Sequence, residues 1–80
     1  MRDKILNLRG VVYEGEVKSA NVKTLSGEIT ILDHHRPMIS ILAARGKIRL
    51  ESQAGEKSEY EAPSGFLHLN PVGELAILVD

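Results

Sequence analysis

Residues 45–63, RGKIRLESQAGEKSEYEAP, determine the predicted fold class, because apolar and polar side chains alternate on both sides of a turn. Alternation with a period of two places one face of a strand on a core and the other face in water. A three-residue loop, Ala54-Gly55-Glu56, would keep the two strands in phase and supply a glycine for a positive φ. The stretch therefore predicts a β-hairpin. Its inward-facing side chains are expected to be Ile48, Leu50, Tyr60 and Ala62.

The outward positions of the same hairpin carry charges of both signs. Lys47 and Arg49 precede the turn, and Glu59 and Glu61 follow it. With Arg45, the two basic residues could form an anion-binding stripe. The opposing carboxylates favour a solvated, ion-paired face instead, because unlike charges on neighbouring strands attract one another.

The same alternation recurs along the chain. Ile29 and Ile31, and again Ile39 and Ile41, are separated by single residues, and glycines occur at short intervals. Asn70-Pro71-Val72-Gly73 has the sequence of a type I turn. These features predict an all-β fold, a small antiparallel β-sandwich or flattened barrel of about eight to ten short strands. We expect the inter-sheet core to contain Ile29, Ile31, Ile48, Leu50, Tyr60 and Phe66.

Composition limits the class of protein further. The chain has 80 residues, no cysteine and a formal net charge of −1. This length predicts one domain, residues 1–80. The lack of cysteine excludes disulfides and a Cys-based zinc site. A dedicated nucleic-acid-binding domain usually has a strong net positive charge, which this chain lacks. No apolar run approaches the roughly 20 residues that span a bilayer, so we expect no direct membrane insertion.

Asp33-His34-His35 follows an apolar strand and is the one conspicuous polar cluster. It resembles the metal motif of the DHH phosphoesterases, in which carboxylates and imidazoles hold divalent ions that activate water. The other Asp residues are Asp3 and Asp80, at the two ends of the chain, so further ligands are lacking. We expect a polar turn without a metal, and keep a metal phosphoesterase fragment as an alternative.

The sequence has no motif for nucleophilic catalysis or for phosphate binding. No serine lies in a G-x-S-x-G motif, and no glycine-rich phosphate loop is followed by lysine. These observations predict a protein that is not an enzyme, with no catalytic residues and no cofactors. A small nucleic-acid-binding barrel is a second alternative, although Tyr13, Tyr60 and Phe66 are few aromatic residues for a stacking platform.

Four stretches occur in a recognisable order. They are residues 13–17 (YEGEV), 27–32 (GEITIL), 35–39 (HRPMI) and 64–67 (SGFL). Their order and spacing resemble the N-terminal domain of the epsilon subunit of F-type ATP synthases. That family has an aromatic-x-G-x-V entry, a G-E-hydrophobic-G-I strand, a G-H-A-P-L-L turn and an S-G-G-F strand.

The chain also departs from the family pattern. Thr30, His34, Arg36 and His68 replace residues that are usual in the family. Family members usually continue into a C-terminal helical hairpin that can bind ATP, whereas this sequence ends at Asp80. We therefore expect a short form without that hairpin, either naturally short or trimmed.

The resemblance implies a non-catalytic subunit in the central stalk of a rotary ATP synthase. Such a subunit binds the gamma subunit through one sheet and rests one end on the ring of c subunits, which couples ion-driven rotation to ATP synthesis. One copy per complex is expected, at the cytoplasmic face of the inner (plasma) membrane, with a cytoplasmic location when free. Residues aligned with the c-ring contact are Ser26, Gly27, Glu28 and His35. Residues aligned with the gamma contact are Asn7, His35, Pro37 and Ser40.

Overall fold

The computed structural model describes residues 1–80 and contains nine β-strands. The strands are β1 (Arg2–Asn7), β2 (Gly10–Glu16), β3 (Ser19–Thr24), β4 (Gly27–Leu32), β5 (Met38–Ile41), β6 (Gly46–Glu51), β7 (Lys57–Ala62), β8 (Gly65–Leu69) and β9 (Glu74–Val79). The fold contains no helix with the length and apolar character needed to cross a membrane.

The strands form two sheets that share one core. The large sheet has the order β2-β1-β9-β8-β5, and the small sheet has the order β4-β3-β6-β7. Neighbouring strands are antiparallel except β1 and β9, which are parallel. Parallel neighbours need a long connection, and here the whole intervening chain supplies it. The predicted all-β sandwich of eight to ten strands is confirmed by these nine strands in two sheets.

The β6–β7 hairpin has the predicted parity: Ile48 lies opposite Tyr60 on the inner face, and the charged residues Lys47 and Arg49 lie opposite Glu61 and Glu59 on the outer face. Its loop lies one residue earlier than predicted. The backbone N–H of Ser52 donates to the carbonyl of Glu56 at 2.8 Å, which makes Gln53–Gly55 the loop. Gly55 has a φ of +86°, as the prediction requires.

The core is one cluster of 13 buried hydrophobic side chains from both sheets. Ile31, Ile48 and Leu50 belong to it, as predicted. Ile29 and Tyr60 are partly buried and pack against the cluster. Three-quarters of the hairpin's predicted inward set is therefore fully buried, and Tyr60 lies at the margin.

Phe66 lies outside the core, so its predicted place was wrong: 45% of its surface is exposed. Its neighbours Leu67 and Leu69 are buried instead. They lie opposite Ile77 and Leu75 on β9, and these side chains fill the space between the sheets. Since successive side chains of a strand point to opposite faces, Phe66 must point outward.

In β5, as at Phe66 of β8, large apolar side chains point outward, away from the core. Ile39 and Ile41, which the alternation placed on the core, are 72% and 60% exposed. Met38 and Ser40 take the inward positions, and Met38 packs against the core. Because Ile41 pairs with Phe66 across the β5–β8 ladder, both side chains point away from the small sheet. The alternation identified the strand correctly but assigned it the wrong face.

Candidate partner-binding surfaces

A band of apolar side chains crosses the outer face of the large sheet. The cross-strand register aligns one residue from each strand, and we call this set the apolar row: Val11, Leu6, Leu78, Phe66 and Ile41. Val11 and Ile41 at its two ends are 56% and 60% exposed. Leu6 and Leu78 in the middle are half-buried. Soluble proteins rarely expose a contiguous apolar patch of this kind unless another molecule binds it.

The apolar row continues beyond the β5 edge. Leu25 is 70% exposed, and its backbone N–H donates to the carbonyl of Ile41 at 3.0 Å. The patch therefore reaches the β3–β4 turn of the small sheet. Sequence reasoning missed the row, although residues 75–79 (LAILV) carried a signal. A strand that is apolar at both parities has an apolar outer face as well as an apolar inner face.

The opposite end of the same face is charged. The Arg2 guanidinium donates to Oε2 of Glu14 at 3.3 Å, and Lys4 Nζ lies 3.8 Å from the same oxygen. Arg2 also lies opposite Glu74 in the β1–β9 ladder. A partner can remove the apolar end from water at lower cost than this charged end. The outer face of the large sheet thus has one end suited to docking and one suited to solvent.

The outer face of the small sheet carries a polar row in register: Thr30, Asn21, Arg49 and Glu59. Asn21 Nδ2 donates to Thr30 Oγ1 at 2.9 Å, and Arg49 Nε donates to Glu59 Oε2 at 2.9 Å. Lys47 Nζ lies 3.2 Å from the other oxygen of Glu59. Hydrogen bonds from Arg49 and then Lys47 hold the pKa of Glu59 below its ordinary value. The expected ion-paired face is confirmed for Lys47 and Arg49.

Three of the residues predicted to contact the c ring lie together at the β3–β4 turn: Ser26 in the turn, and Gly27 and Glu28 at the start of β4. The Thr24 hydroxyl accepts the backbone N–H of Ser26 at 3.1 Å and donates to the carbonyl of Gly27 at 2.8 Å. Gly27 has a φ of +118°, which other residues rarely adopt. Glu28 follows on the exposed face of the small sheet, opposite Lys23.

The fourth predicted c-ring residue, His35, lies beyond the other end of β4. The strand places it about 17 Å from the turn, at roughly 3.3 Å per residue. Its backbone N–H donates to the carbonyl of Leu32 at 3.2 Å, and its Nδ1 lies 2.8 Å from the carbonyl oxygen of Arg36. The structure therefore does not bring the four residues together.

The residues predicted to contact gamma are also divided. Asn7 ends β1 beside the apolar row, and its Oδ1 accepts the backbone N–H of Arg9 at 2.8 Å. Ser40 occupies an inward position of β5 and is half-buried. His35 and Pro37 are exposed and precede β5, at the end of the large sheet away from the apolar row.

The Asp33-His34-His35 cluster forms the polar turn expected from the sequence. Oδ1 of Asp33 lies 2.7 Å from the N-terminal ammonium of Met1, and this hydrogen bond lowers the pKa of Asp33. His34 has a φ of +67°, in the left-handed region. The chain contains no group of three or more His, Cys, Asp or Glu side chains arranged to hold a metal ion. Asp33 acts here as an ion-pair partner.

The family model described as the ATP synthase delta/epsilon chain, β-sandwich domain, matches residues 1–80. Relatives named ATP synthase epsilon chain include those of Halalkalibacterium halodurans, 40% identical over 63 residues, and Persephonella marina, 31% identical over 64 residues. These matches cover 78% and 80% of this chain, and 45% and 46% of the relatives. The chain thus spans about half the length of these curated relatives.

Two solved assemblies contain chains of similar fold. One is the mitochondrial ATP synthase of Euglena gracilis, OSCP/F1/c-ring in rotational state 1, with a TM-score of 0.88 and 23% identity. That match covers 96% of this chain and 48% of the other. The second is the central stalk/c-ring of the Tetrahymena thermophila mitochondrial ATP synthase, with a TM-score of 0.81, 11% identity, and coverage of 99% and 62%. At these identities the likeness shows the fold.

Proposed function

Because this chain belongs to the family of ATP synthase delta/epsilon chain β-sandwich domains, we propose that it is a non-catalytic central-stalk subunit of a rotary F-type ATP synthase. The relatives named ATP synthase epsilon chain and the two assemblies with a c-ring support this proposal. The proposed role is mechanical. The subunit binds gamma and the c ring and turns with them, so that ion-driven rotation is coupled to ATP synthesis.

The observation that carries the proposal is the apolar row. Removing apolar surface from water stabilises a complex by about 25 cal/mol per Å², so a protein partner that covers the row gains from every strand it crosses. Gamma is the partner we assign to it. The Lys4 and His68 positions border the row and would form part of a polar rim, the usual surround of an apolar interface centre.

The c-ring contact is assigned to residues 26–28, at the β3–β4 turn and the start of β4. Leu25 connects this turn to the apolar row, so the two contacts would be neighbours. Glu28 already faces Lys23 across the β3–β4 ladder. An exposed charge of this kind orients a partner more than it adds affinity.

The residues predicted to contact gamma are not all equally close to the apolar row. Asn7 borders the apolar row and fits a gamma contact. His35 and Pro37 lie at the opposite end, and Ser40 faces inward, so a partner on the apolar row would not reach all three. No structural observation favours the nucleic-acid-binding module or the metal phosphoesterase fragment.

The proposed subunit is a peripheral part of the membrane-bound complex. One copy would sit at the cytoplasmic face of the inner (plasma) membrane, beside the c ring, and the free chain would be cytoplasmic. The ion pairs of Arg2 with Glu14 and of Lys47 and Arg49 with Glu59 reduce the attraction of those surfaces for a partner, which favours the apolar row as the main docking surface.

Calorimetric titration with purified gamma tests the proposal. Ile41→Glu places a charge in the apolar row at a position that is 60% exposed, so the domain should still fold. We expect gamma affinity to fall about 30-fold or more, because an interface that buries an unpaired carboxylate loses on the order of 2 kcal/mol.

Leu32→Glu is the matched control. Leu32 is 53% exposed on the outer face of the small sheet, so the same chemical change there should leave gamma affinity within about twofold. The proposal fails if the wild-type chain does not bind gamma, or if Leu32→Glu weakens binding and Ile41→Glu does not.

A further inference from the structure

The interior contains one carboxyl group that the proposed function does not use. Asp3 on β1 is 0% exposed, and neither of its side-chain oxygens has a hydrogen-bond partner. It occupies an inward-facing position two residues before Ile5, a member of the core. Buried polar side chains are normally hydrogen-bonded, so an unpartnered carboxyl group requires an explanation.

The strands beside Asp3 offer it no polar partner. Gly15 of β2 and Leu75 of β9 lie opposite it in register. Arg2 and Lys4, its neighbours on β1, point to the outer face and pair with a carboxylate of β2. No cation of its own sheet therefore compensates a charge on Asp3.

The titratable groups that face the same interior are two tyrosines. A side chain built on Gly15 would begin 3.0 Å from the Tyr13 hydroxyl oxygen, so the Tyr13 ring lies over the residue opposite Asp3. Tyr60 of β7 packs against Tyr13 with ring centroids 5.7 Å apart. Burial, and then the charge of Asp3, raise the pKa of Tyr13, and the Tyr13 hydroxyl makes no hydrogen bond to Asp3, so it does not compensate a charge there.

The other elements add no compensating charge. The buried side chains of the facing small sheet are apolar except Thr24, and those of β8 and β9 in the same sheet as Asp3 are all apolar. At the start of β1, the ammonium of Met1 lies 2.7 Å from Asp33 and 3.2 Å from Glu16, which neutralise it. The surroundings of Asp3 therefore stabilise its neutral carboxyl form relative to the charged carboxylate.

Burial raises the pKa of Asp3 to about 7, against an ordinary value of 3.8; the nearby backbone N–H of Lys4 opposes part of this rise, although its geometry is not that of a hydrogen bond to the carboxyl group. A folded-state pKa above the unfolded value means that the folded form binds the proton more tightly. The contribution of Asp3 to stability is therefore greatest below pH 3.8, declines as the pH rises, and levels off above about pH 7.

We propose that Asp3 is a pH-sensitive switch: the neutral carboxyl holds residues 2–4 of β1 against the core, and loss of its proton lets them separate from β2 and β9. Separation would carry the carboxylate into water, where ionisation has no desolvation cost. Only the first half of β1 need open, because Ile5 stays in the core and Leu6 keeps its place in the apolar row. The switch is a property of the fold and does not depend on gamma.

Two measurements on the 80-residue chain test this inference. The carboxyl carbon resonance of Asp3 should titrate with a midpoint near pH 7, where an ordinary aspartate titrates near 3.8. Over the same range, hydrogen-exchange protection of the amides of residues 2–4, corrected for intrinsic rates, should fall with rising pH. The expected fall is up to about tenfold per pH unit between about pH 4.5 and 6.5, with a plateau above about pH 7.

Asp3→Asn removes the ionisable proton and keeps the shape, so protection of residues 2–4 should no longer depend on pH. Asp3→Leu should behave the same way and serves if a buried amide impairs folding. Glu61→Gln is the control, since it neutralises an exposed carboxylate of β7, away from β1, and should keep the pH dependence. A carboxyl midpoint below about pH 5, or an equal pH dependence in Asp3→Leu and wild type, would overturn the inference.

Discussion

The outer faces of the two sheets carry rows of opposite character. The polar row of the small sheet is joined by hydrogen bonds from Asn21 to Thr30 and from Arg49 to Glu59. The apolar row of the large sheet is equally well aligned, yet Phe66 and Ile41 are 45% and 60% exposed. A hydrogen-bonded polar row is compatible with water, whereas an apolar row gains free energy when something covers it. The difference indicates which face of the sandwich is a solvent surface and which is a docking surface.

The largest expected effect contrasts the inside of the sandwich with its docking face. Ile31 is 0% exposed and Ile39 is 72% exposed, although both were placed on the core by the same alternation. Ile31→Ala should lower the free energy of unfolding by about 2–5 kcal/mol, because it leaves a cavity between the sheets. Ile39→Ala should change it by less than about 0.5 kcal/mol. Urea denaturation measures both, and equal losses would contradict the assignment of faces.

A smaller effect is expected where β8 begins beside the apolar row. Gly65 has a φ of +145°, and a side chain there would collide with the backbone carbonyl of Leu78. Gly65→Ala should therefore destabilise the domain by about 1–3 kcal/mol or more, because the β8–β9 ladder must shift. Gly10 also has a positive φ, +122°, but a side chain there meets open space.

The comparison of these two glycines is the control. Gly10→Ala at the β1–β2 turn should cost less than Gly65→Ala, since only backbone strain is added and no atom is displaced. Thermal unfolding at one fixed pH ranks the two variants. A lower melting temperature for Gly10→Ala than for Gly65→Ala would show that the close approach of β8 to Leu78 has little energetic weight.

The sequence predicted the small sheet better than the large one. In the β6–β7 hairpin, one parity is apolar and the other is charged, so Ile48 and Arg49 could each be assigned to a face. In β8, Leu67 and Leu69 share one parity, and Phe66 shares the other with polar His68. The alternation itself therefore favoured Leu67 inside and Phe66 outside. Phe66 was placed on the core as a large aromatic residue, against that pattern, and the pairing of β8 with β9 follows the alternation.

At the candidate contact sites too, the sequence predicted features that are local in the chain and missed those that depend on the three-dimensional fold. The contiguous segment Ser26–Glu28 was predictable as a unit, because these three residues are neighbours in the chain. The separation of His35 from that turn depends on the length of β4, which a residue-by-residue resemblance does not measure. The burial of Asp3 was not predictable, because the polar residue shares the inward parity of Ile5 in a strand of mixed character.

Side-chain oxidation by hydroxyl radicals, with and without gamma, tests the central claim most directly. The account predicts that gamma protects Phe66 and Ile41 in the apolar row, while Leu32 on the small sheet, which is 53% exposed, keeps its reactivity. Protection of Leu32 with no change at Phe66 and Ile41 would show that gamma binds the other face, and would contradict the account.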